Sequence, residues 1–290
     1  IKHYLLALFV SRKGVHEYDL RHICLLSQVE FSPIHYAMEL FVRNLSGYLG
    51  LKNSAISSFV EDRYGQEEVR EIRNRIVDYY LKKGDFSNCI IDDQSRMWIY
   101  ELPYQCNKLQ RLEELHYVVS KPQVCLAQLG DLWWSLPWEY NVGEISEYWK
   151  ALLSSTQYSL DTYFTNYKTF IEHSPLSLCY ISMLSYVCFG YEKALDYINQ
   201  SIQIYSSYSH KFDNELLCLM MMKSHLYTEV NDSEGIKHTL LDAFKLCTSI
   251  ISTIDCSDYI RNIIDDLQNV CAEEEIYQIS KKADGYYELV

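Results

Sequence analysis

The chain has 290 residues, 48% of them apolar and 22% charged, with a formal net charge of −13. That composition excludes a disordered chain, and a chain this long buries roughly 75% of the surface it exposes unfolded, so it needs no disulfide staples. The acidic balance argues against a duplex-binding role, because phosphate contacts need clustered Lys and Arg. With only ten Gly and five Pro, the pattern suits long helices with short connections rather than an all-β fold.

The sequence opens on Ile1 in mid-pattern, with Tyr4, Leu5, Leu6, Leu8 and Phe9 following at once. No basic stretch precedes that apolar run, so it does not read as a signal peptide; it reads as a segment of a longer protein. The first expected helix is Leu5 to Val10, closed by Ser11-Arg12-Lys13-Gly14, with Gly14 where a left-handed residue is wanted. A second runs from His16 to Leu26, with Leu20, Ile23, Cys24 and Leu26 at helical spacing. Ser32-Pro33 reads as the start of a third, with Ser as N-cap and Pro at the first helical position. Ala37, Leu40, Phe41 and Leu45 give it an apolar stripe, and Gly47 ends it. The period then changes from 3.6 to 2. Tyr48–Leu51 and Ala55–Phe59 flank the polar turn Lys52-Asn53-Ser54, which predicts a hairpin. Three helices and a short hairpin make a winged helix. Val60 to Lys83 is helical again, striped by Val69, Ile72, Ile76, Tyr79 and Tyr80, and Gly84-Asp85 stops it. The first domain is therefore expected over 1–84.

Residues 85–97 are polar and read as a loop. From 98 to 170 the pattern gives helices broken at Pro103, Pro122, Pro137 and Gly143, so 85–170 is expected to be a helical arm. Its Trp-dense segment, Asp131 to Trp138, suits core filling at a helix junction better than a carbohydrate platform. Ser174–Tyr191 carries no charge and approaches membrane-span length. Its interior Ser residues, Pro175 and Gly190 instead fit a helix buried on most sides in a helical stack. From 171 to 290, antiparallel helix pairs are expected: Leu178 to Cys188 with Glu192 to Tyr205, then Asn214 to Tyr227 with Ser233 to Ser249. A final helix is expected over Ser257 to Ala283. Matching positions recur at a period of about 40, which points to an α-helical solenoid of the tetratricopeptide kind. Tyr186-x3-Gly190-Tyr191-x2-Ala194 is similar to the turn of such a repeat, one residue short, and Asn231 stands where the second copy would have its Gly. The fold class expected is all-α: a winged helix with a small β-hairpin, followed by a tetratricopeptide-like solenoid.

The search for chemistry is negative. There is no Gly-Lys dipeptide and hence no phosphate loop, and no G-x-S-x-G elbow. His16-Glu17 lacks the second His of a zinc helix. Asp92-Asp93 and Asp265-Asp266 are adjacent pairs that would point about 100° apart on a helix, so solvated faces explain them better than paired catalysis. The ten Cys form no Cys-x-x-Cys pair, which fits reduced, buried thiols in a cytosolic protein. Arg70, Arg73 and Arg75 are interleaved with Glu67, Glu68 and Glu71, suggesting surface ion pairs rather than a phosphate track. The expected reading helix, His35 to Arg43, has one Arg, one Glu and a broad apolar face. It looks made for packing against protein, whereas a groove reader needs several Arg, Lys, Asn or Gln. These residues imply no enzyme, no metal and no cofactor within this chain.

A family resemblance rests on collinear motifs over residues 1–205. Leu5-x2-Leu8-Phe9-Val10-Ser11-Arg12-x-Gly14-Val15-x-Glu17-x2-Leu20 resembles the opening of the winged-helix domain of STAND-class NTPases. Glu61-Asp62-Arg63-Tyr64 fits the next helix of that module. Glu101-Leu102-Pro103, with Leu112 and Leu115, resembles the helical stretch that follows, and Glu144 to Trp149 with Tyr163-Phe164 resembles the bridge into repeats. The order is similar to that of the nephrocystin family and its tetratricopeptide relatives. The resemblance implies an NTPase core before Ile1, further repeats after Val290, and a cytoplasmic, ciliary or axonemal setting. Such winged helices often supply a His near bound nucleotide. The matching place, Ser57-Ser58, has none, so nucleotide is expected only through a domain outside this chain.

The function expected is a non-catalytic scaffold that binds protein partners. The alternative is a regulatory lid on a nucleotide-hydrolysing STAND ATPase whose active site lies outside the chain. A third reading, a nucleic-acid-binding regulator, is opposed by the charge and the third helix. In a tetratricopeptide pair the first helix lines the concave face, which nominates Tyr180, Leu184, Met221 and His225 as partner-groove residues, with core packing the better expectation for Leu184 and Met221.

Overall fold

The computed structural model describes residues 1–12, 14–84, 93–121, 124, 143–155, 157–172, 175–250 and 256–287. The expectations for Pro122, Pro137, the Trp segment 131–138, Asp92, Cys89 and Cys125 lie outside them. The chain is mostly helical with a small three-stranded antiparallel sheet near the N-terminus. Its helices group into two compact units, Ile1–Tyr158 and Ser159–Val290.

The first unit is organised around helix α1 (Lys2–Val10), whose Tyr4 to Leu8 and Val10 are all buried. Gly14 follows with φ +97, and a Cβ there would lie 2.8 Å from the Leu49 carbonyl oxygen. That close approach lets β1 (Val15–His16), a strand the sequence did not announce, pair with β3 (Tyr48–Leu51), which it did. His16 then caps α2 (Glu17–Ile23), its Nδ1 accepting the Tyr18 amide at 3.3 Å.

Helix α3 spans Gln28–Met38, earlier than the Ser32-Pro33 signal suggested. Ser27 opens it through a capping box: Glu30 Oε2 accepts the Ser27 amide at 2.9 Å. Pro33 therefore sits inside the helix. The chain leaves helix at Met38, and Val42–Leu45 is strand β2. The hairpin is thus β2–β3, not Tyr48–Leu51 with Ala55–Phe59. It closes through Ser46-Gly47, both at positive φ (54 and 88), as a two-residue turn between right-twisted strands requires. The sheet order is β1-β3-β2. Leu40, Phe41 and Leu45 imitate helical spacing, yet all three are exposed; their spacing reflects no buried stripe. Residues 54–59 are helical because Asn53 caps α4 (Ser54–Arg63), its Oδ1 accepting the Ile56 amide at 3.1 Å.

The expected helix Val60–Lys83 is divided at Tyr64-Gly65, where Gly65 starts α5 (Gln66–Lys83) with Glu68 accepting its amide. Val69, Ile72, Ile76, Val77 and Tyr80 face inward. Asp19 of α2 is buried and accepts the Tyr79 hydroxyl and Lys83 Nζ, each at 2.7 Å, which ties α2 to α5. Helix α6 (Asp93–Leu109) begins inside the stretch expected to be loop and runs through Pro103 without breaking. It packs along α5 and is followed by α7 (Leu112–Val119) and α8 (Gly143–Leu153). Two α6 side chains service the buried end of α1. Gln105 Nε2 donates to the Val10 carbonyl at 2.8 Å, and Glu101 Oε2 accepts the Arg12 amide at 3.1 Å and the Ser11 hydroxyl at 3.4 Å.

The second unit begins with α9 (Leu160–Phe170) and continues as three helix pairs. These are α10 (Ser177–Phe189) with α11 (Tyr191–Ser206), α12 (Asp213–Glu229) with α13 (Ser233–Ile250), and α14 (Ser257–Leu267) with α15 (Glu273–Tyr287). The last pair replaces the single helix expected over Ser257 to Ala283; the chain turns at Asn269 to Cys271. Gly190 alone joins α10 to α11, at φ +81 and ψ −164, a region essentially reserved for Gly. Asn231, at φ 56, serves the next turn.

Two predictions follow from these contacts. A Cβ on Gly190 meets nothing within 4 Å, so Gly190→Ala tests backbone conformation alone; urea unfolding should show a loss of about 1–3 kcal/mol. Burial pushes the Glu101 carboxyl above its ordinary 4.5, against the hydrogen bonds from Gln105, Arg12 and Ser11. A raised carboxyl contributes stability that is complete below 4.5 and is lost as pH climbs through the folded value. Urea midpoints of Glu101→Gln should therefore gain on wild type as pH rises through that window; a pH-independent offset would contradict the assignment.

Candidate functional site

Two surfaces are candidates. The first is the outer side of α3. Phe31 fixes the inner side: its ring lies 5.8 Å from Tyr4 and is stacked on His35 at 5.5 Å, while His35 Nδ1 lies 2.8 Å from the Tyr4 hydroxyl. Phe31 is the helix's one fully buried residue. The opposite side carries Val29, Tyr36 and Leu40, exposed at 82%, 80% and 77%, with Pro33 and Ala37 exposed between them. Val29, Pro33, Tyr36 and Ala37 share one stripe of α3 by their spacing of three to four residues, and Leu40 lies just beyond the helix, in the turn Glu39–Phe41. Helix α3 contains no Lys or Arg. The sequence had pointed to an apolar face here, but within His35 to Arg43; the structured stripe starts earlier because the capping box at Ser27 moves the helix start.

The second surface is the expected groove of the helix pairs. Tyr180 and Leu184 are buried, at 3% and 1% exposure. Neither lines an open groove, because α10 packs against α9, α11 and α12 together and buries every residue from Ser177 to Ser185. Met221 and His225 of α12 are half-buried. Met221 packs against the core formed by α12 to α15. His225 stands near Asp266 of α14; burial raises the Asp266 carboxyl, and His225 works the other way. Asp265 beside it is exposed, so the adjacent acids do point apart. On the same side, the Tyr259 hydroxyl of α14 lies 3.2 Å from Cys218 Sγ and donates to Asn214 Oδ1 at 3.3 Å. These contacts seat α12 on α14, so the four nominated residues lie in helix packing rather than on one solvent-facing track.

Among the described residues no group of three His, Cys, Asp or Glu could hold a metal ion, and no helix is long and apolar enough to cross a membrane. The eight described Cys are free thiols and six are buried. Burial pushes the Cys24 and Cys106 thiols up to about 12. Arg75 pairs with Glu71 at 2.5 Å, as its spacing suggested. Arg73 departs from the surface ion-pair pattern and reaches Gln105 Oε1 of α6 at 2.5 Å.

Placing Leu184 in the core predicts the size of its truncation. Leu184→Ala should cost about 2–5 kcal/mol by chemical unfolding, whereas a groove-lining residue would stay within about 0.5 kcal/mol.

No protein-family model, no curated protein and no solved structure matches the chain.

Proposed function

We propose that this chain is a non-catalytic scaffold segment that works by binding protein, through a winged helix at its N-terminus and tetratricopeptide-like helix pairs behind it. The observation that carries the reading is the exposed apolar stripe of Val29 and Tyr36 on α3, continued by Leu40 just beyond it, on a helix without a single Lys or Arg. The order of α1, β1, α2, α3, β2 and β3 supports the winged-helix reading, in which the third helix would be the reading element. A groove reader would put Arg, Lys, Asn or Gln there. An apolar stripe in water costs solubility unless another apolar surface covers it. Protein contact accounts for it; nucleic-acid contact does not.

The helix pairs, with starts about 40 residues apart, suit a solenoid. The motif order similar to STAND-class and nephrocystin-type proteins favours ciliary or axonemal partners and a cytoplasmic setting. It also supplies the second reading, a regulatory lid on an NTPase core outside this chain, with α3 as the face that meets that core.

A pull-down from a ciliated-cell lysate tests the assignment, with the 290-residue chain and its Tyr36→Ser/Leu40→Ser variant as baits, with and without ATP. Both positions are solvent-facing, so stability should change by no more than about 0.5 kcal/mol per site. Partner recovery should fall several-fold in the variant and be indifferent to ATP. Equal recovery by the variant removes α3 as the interaction face. Recovery of nucleic acid, with a steep salt dependence, would replace the protein reading.

A further inference from the structure

Helix α3 has one side fixed by Phe31 and the other left to solvent. Val29, Pro33, Tyr36 and Ala37 form the exposed stripe, and Leu40 extends it. Along one edge of that stripe runs a second row, Gln28, Ser32, His35 and Glu39, at alternating spacings of four and three residues. Glu39 keeps right-handed helical backbone, φ −54 and ψ −36, so the row continues through it.

The two ends of this row carry opposite charge. At the C-terminal end stands Glu39, exposed. At the N-terminal end, Gln28 Oε1 accepts a hydrogen bond from Arg21 Nη1 of α2 at 2.7 Å, which holds that guanidinium against the start of α3. The ends are about three turns apart, roughly 16 Å along the axis. The opposite edge begins with Glu30, which is held in the capping box by Ser27. Turning α3 end over end exchanges the two ends of each row while keeping each row on its own edge. It therefore brings an acid to the level of the Arg21–Gln28 pair.

We propose that the α3 stripe binds a second copy of this chain, antiparallel, about a two-fold axis level with Pro33 and Ile34. This rests on the reading of α3 as a protein-binding face. A two-fold interface must be self-complementary, each residue meeting on the second copy the one that meets it in return. The antiparallel arrangement satisfies this in charge and in shape. Glu39 of each copy faces the Arg21–Gln28 pair of the other, and the bulky Tyr36 lies against the second copy's Val29 and Pro33. A parallel arrangement would leave Glu39 and Arg21 at opposite ends. Area sets the strength. A standard interface buries about 800 Å² per partner, and one short helix with the turn after it offers roughly half of that. The net charge of −13 on each copy adds repulsion. The dimer is therefore weak and concentration-dependent, with a dissociation constant of roughly 10–100 μM.

Sedimentation equilibrium of the whole chain, from about 1 to 300 μM, tests this. Wild type should pass from monomer towards dimer over that range, and Tyr36→Ser/Leu40→Ser should stay monomeric. Glu39→Arg and Arg21→Glu should each weaken the dimer roughly tenfold, since each sets like charges opposite one another at both ends. Combined in one chain, they should recover most of the lost association. That recovery reads a charge pair between copies, which a change confined to the monomer would not give. Glu39→Arg, at an exposed position, carries the test by itself if Arg21→Glu does not fold. A wild type still monomeric at about 300 μM, a dimer indifferent to Tyr36→Ser/Leu40→Ser, or a dimer unchanged by Glu39→Arg would overturn the second copy as occupant. A monomeric wild type whose lysate partner is still lost in the Tyr36→Ser/Leu40→Ser variant would overturn self-association alone and leave α3 as a face for a different protein.

Discussion

Helix α1 ends inside the first unit, and its last backbone groups must be satisfied there. A buried carbonyl or amide without a partner costs about as much as a lost hydrogen bond. Water cannot serve a helix whose residues from Tyr4 to Leu8 are all enclosed. The solution comes from 89 to 95 positions away, where Glu101 and Gln105 of α6 take up the Ser11-Arg12 turn and the Val10 carbonyl. Much else is arranged around this. It requires α6 to pass beside α1, and α5 to lie against both. Helix α6 must also stay continuous across Pro103, because Glu101 and Gln105, one turn apart, stand on either side of it. The α1 C-terminus, the α5 stripe and the α6 face therefore form one joint rather than three separate contacts.

What the sequence made legible and what it did not divide along physical lines. The first two helix pairs of the second unit were readable because each turn carries its own chemistry, whereas the last pair was read as one helix. Gly190 and Asn231 adopt the positive φ that their residue types announce, and the flanking stripes keep a 3.6 period. The hairpin was misplaced because two local signals competed. Leu40, Phe41 and Leu45 have helical spacing without being buried, while Asn53 caps a helix whose Ala55 and Phe59 look like alternating strand. Pro103 was read as a breaker, but tertiary packing of α6 outweighs one lost helical hydrogen bond. The groove residues were assigned from an idealised repeat, in which first helices have a free face. Nothing in the local pattern says that α10 is covered on every side.

The second unit is held by contacts between near neighbours. Tyr197 donates to Asp161 at 2.5 Å, and Lys193 pairs with the same carboxylate at 3.1 Å, joining α11 to α9. Tyr259 and Cys218 join first helices of successive pairs, and Lys237 with Glu275, 2.9 Å apart, joins second helices. The second pair is thus tied to the third on both of its sides. The exposed ties are worth little individually. The apolar core from Leu217 to Ala283 supplies most of the stability, and the polar contacts fix which helix lies beside which.

The all-round burial of α10 has a consequence for how the chain is made. Ser177 to Ser185 leaves the ribosome before α12, which covers one of its sides. At about 5–20 residues per second, α12 is complete only a few seconds after α10 has emerged. During that interval an uncharged helix with apolar residues on every side has only its two nearest partners to hide against. The nascent chain at this stage is the natural client of a holdase chaperone, and synthesis stalled between Ser206 and Asp213 would produce the most aggregation-prone intermediate of the second unit.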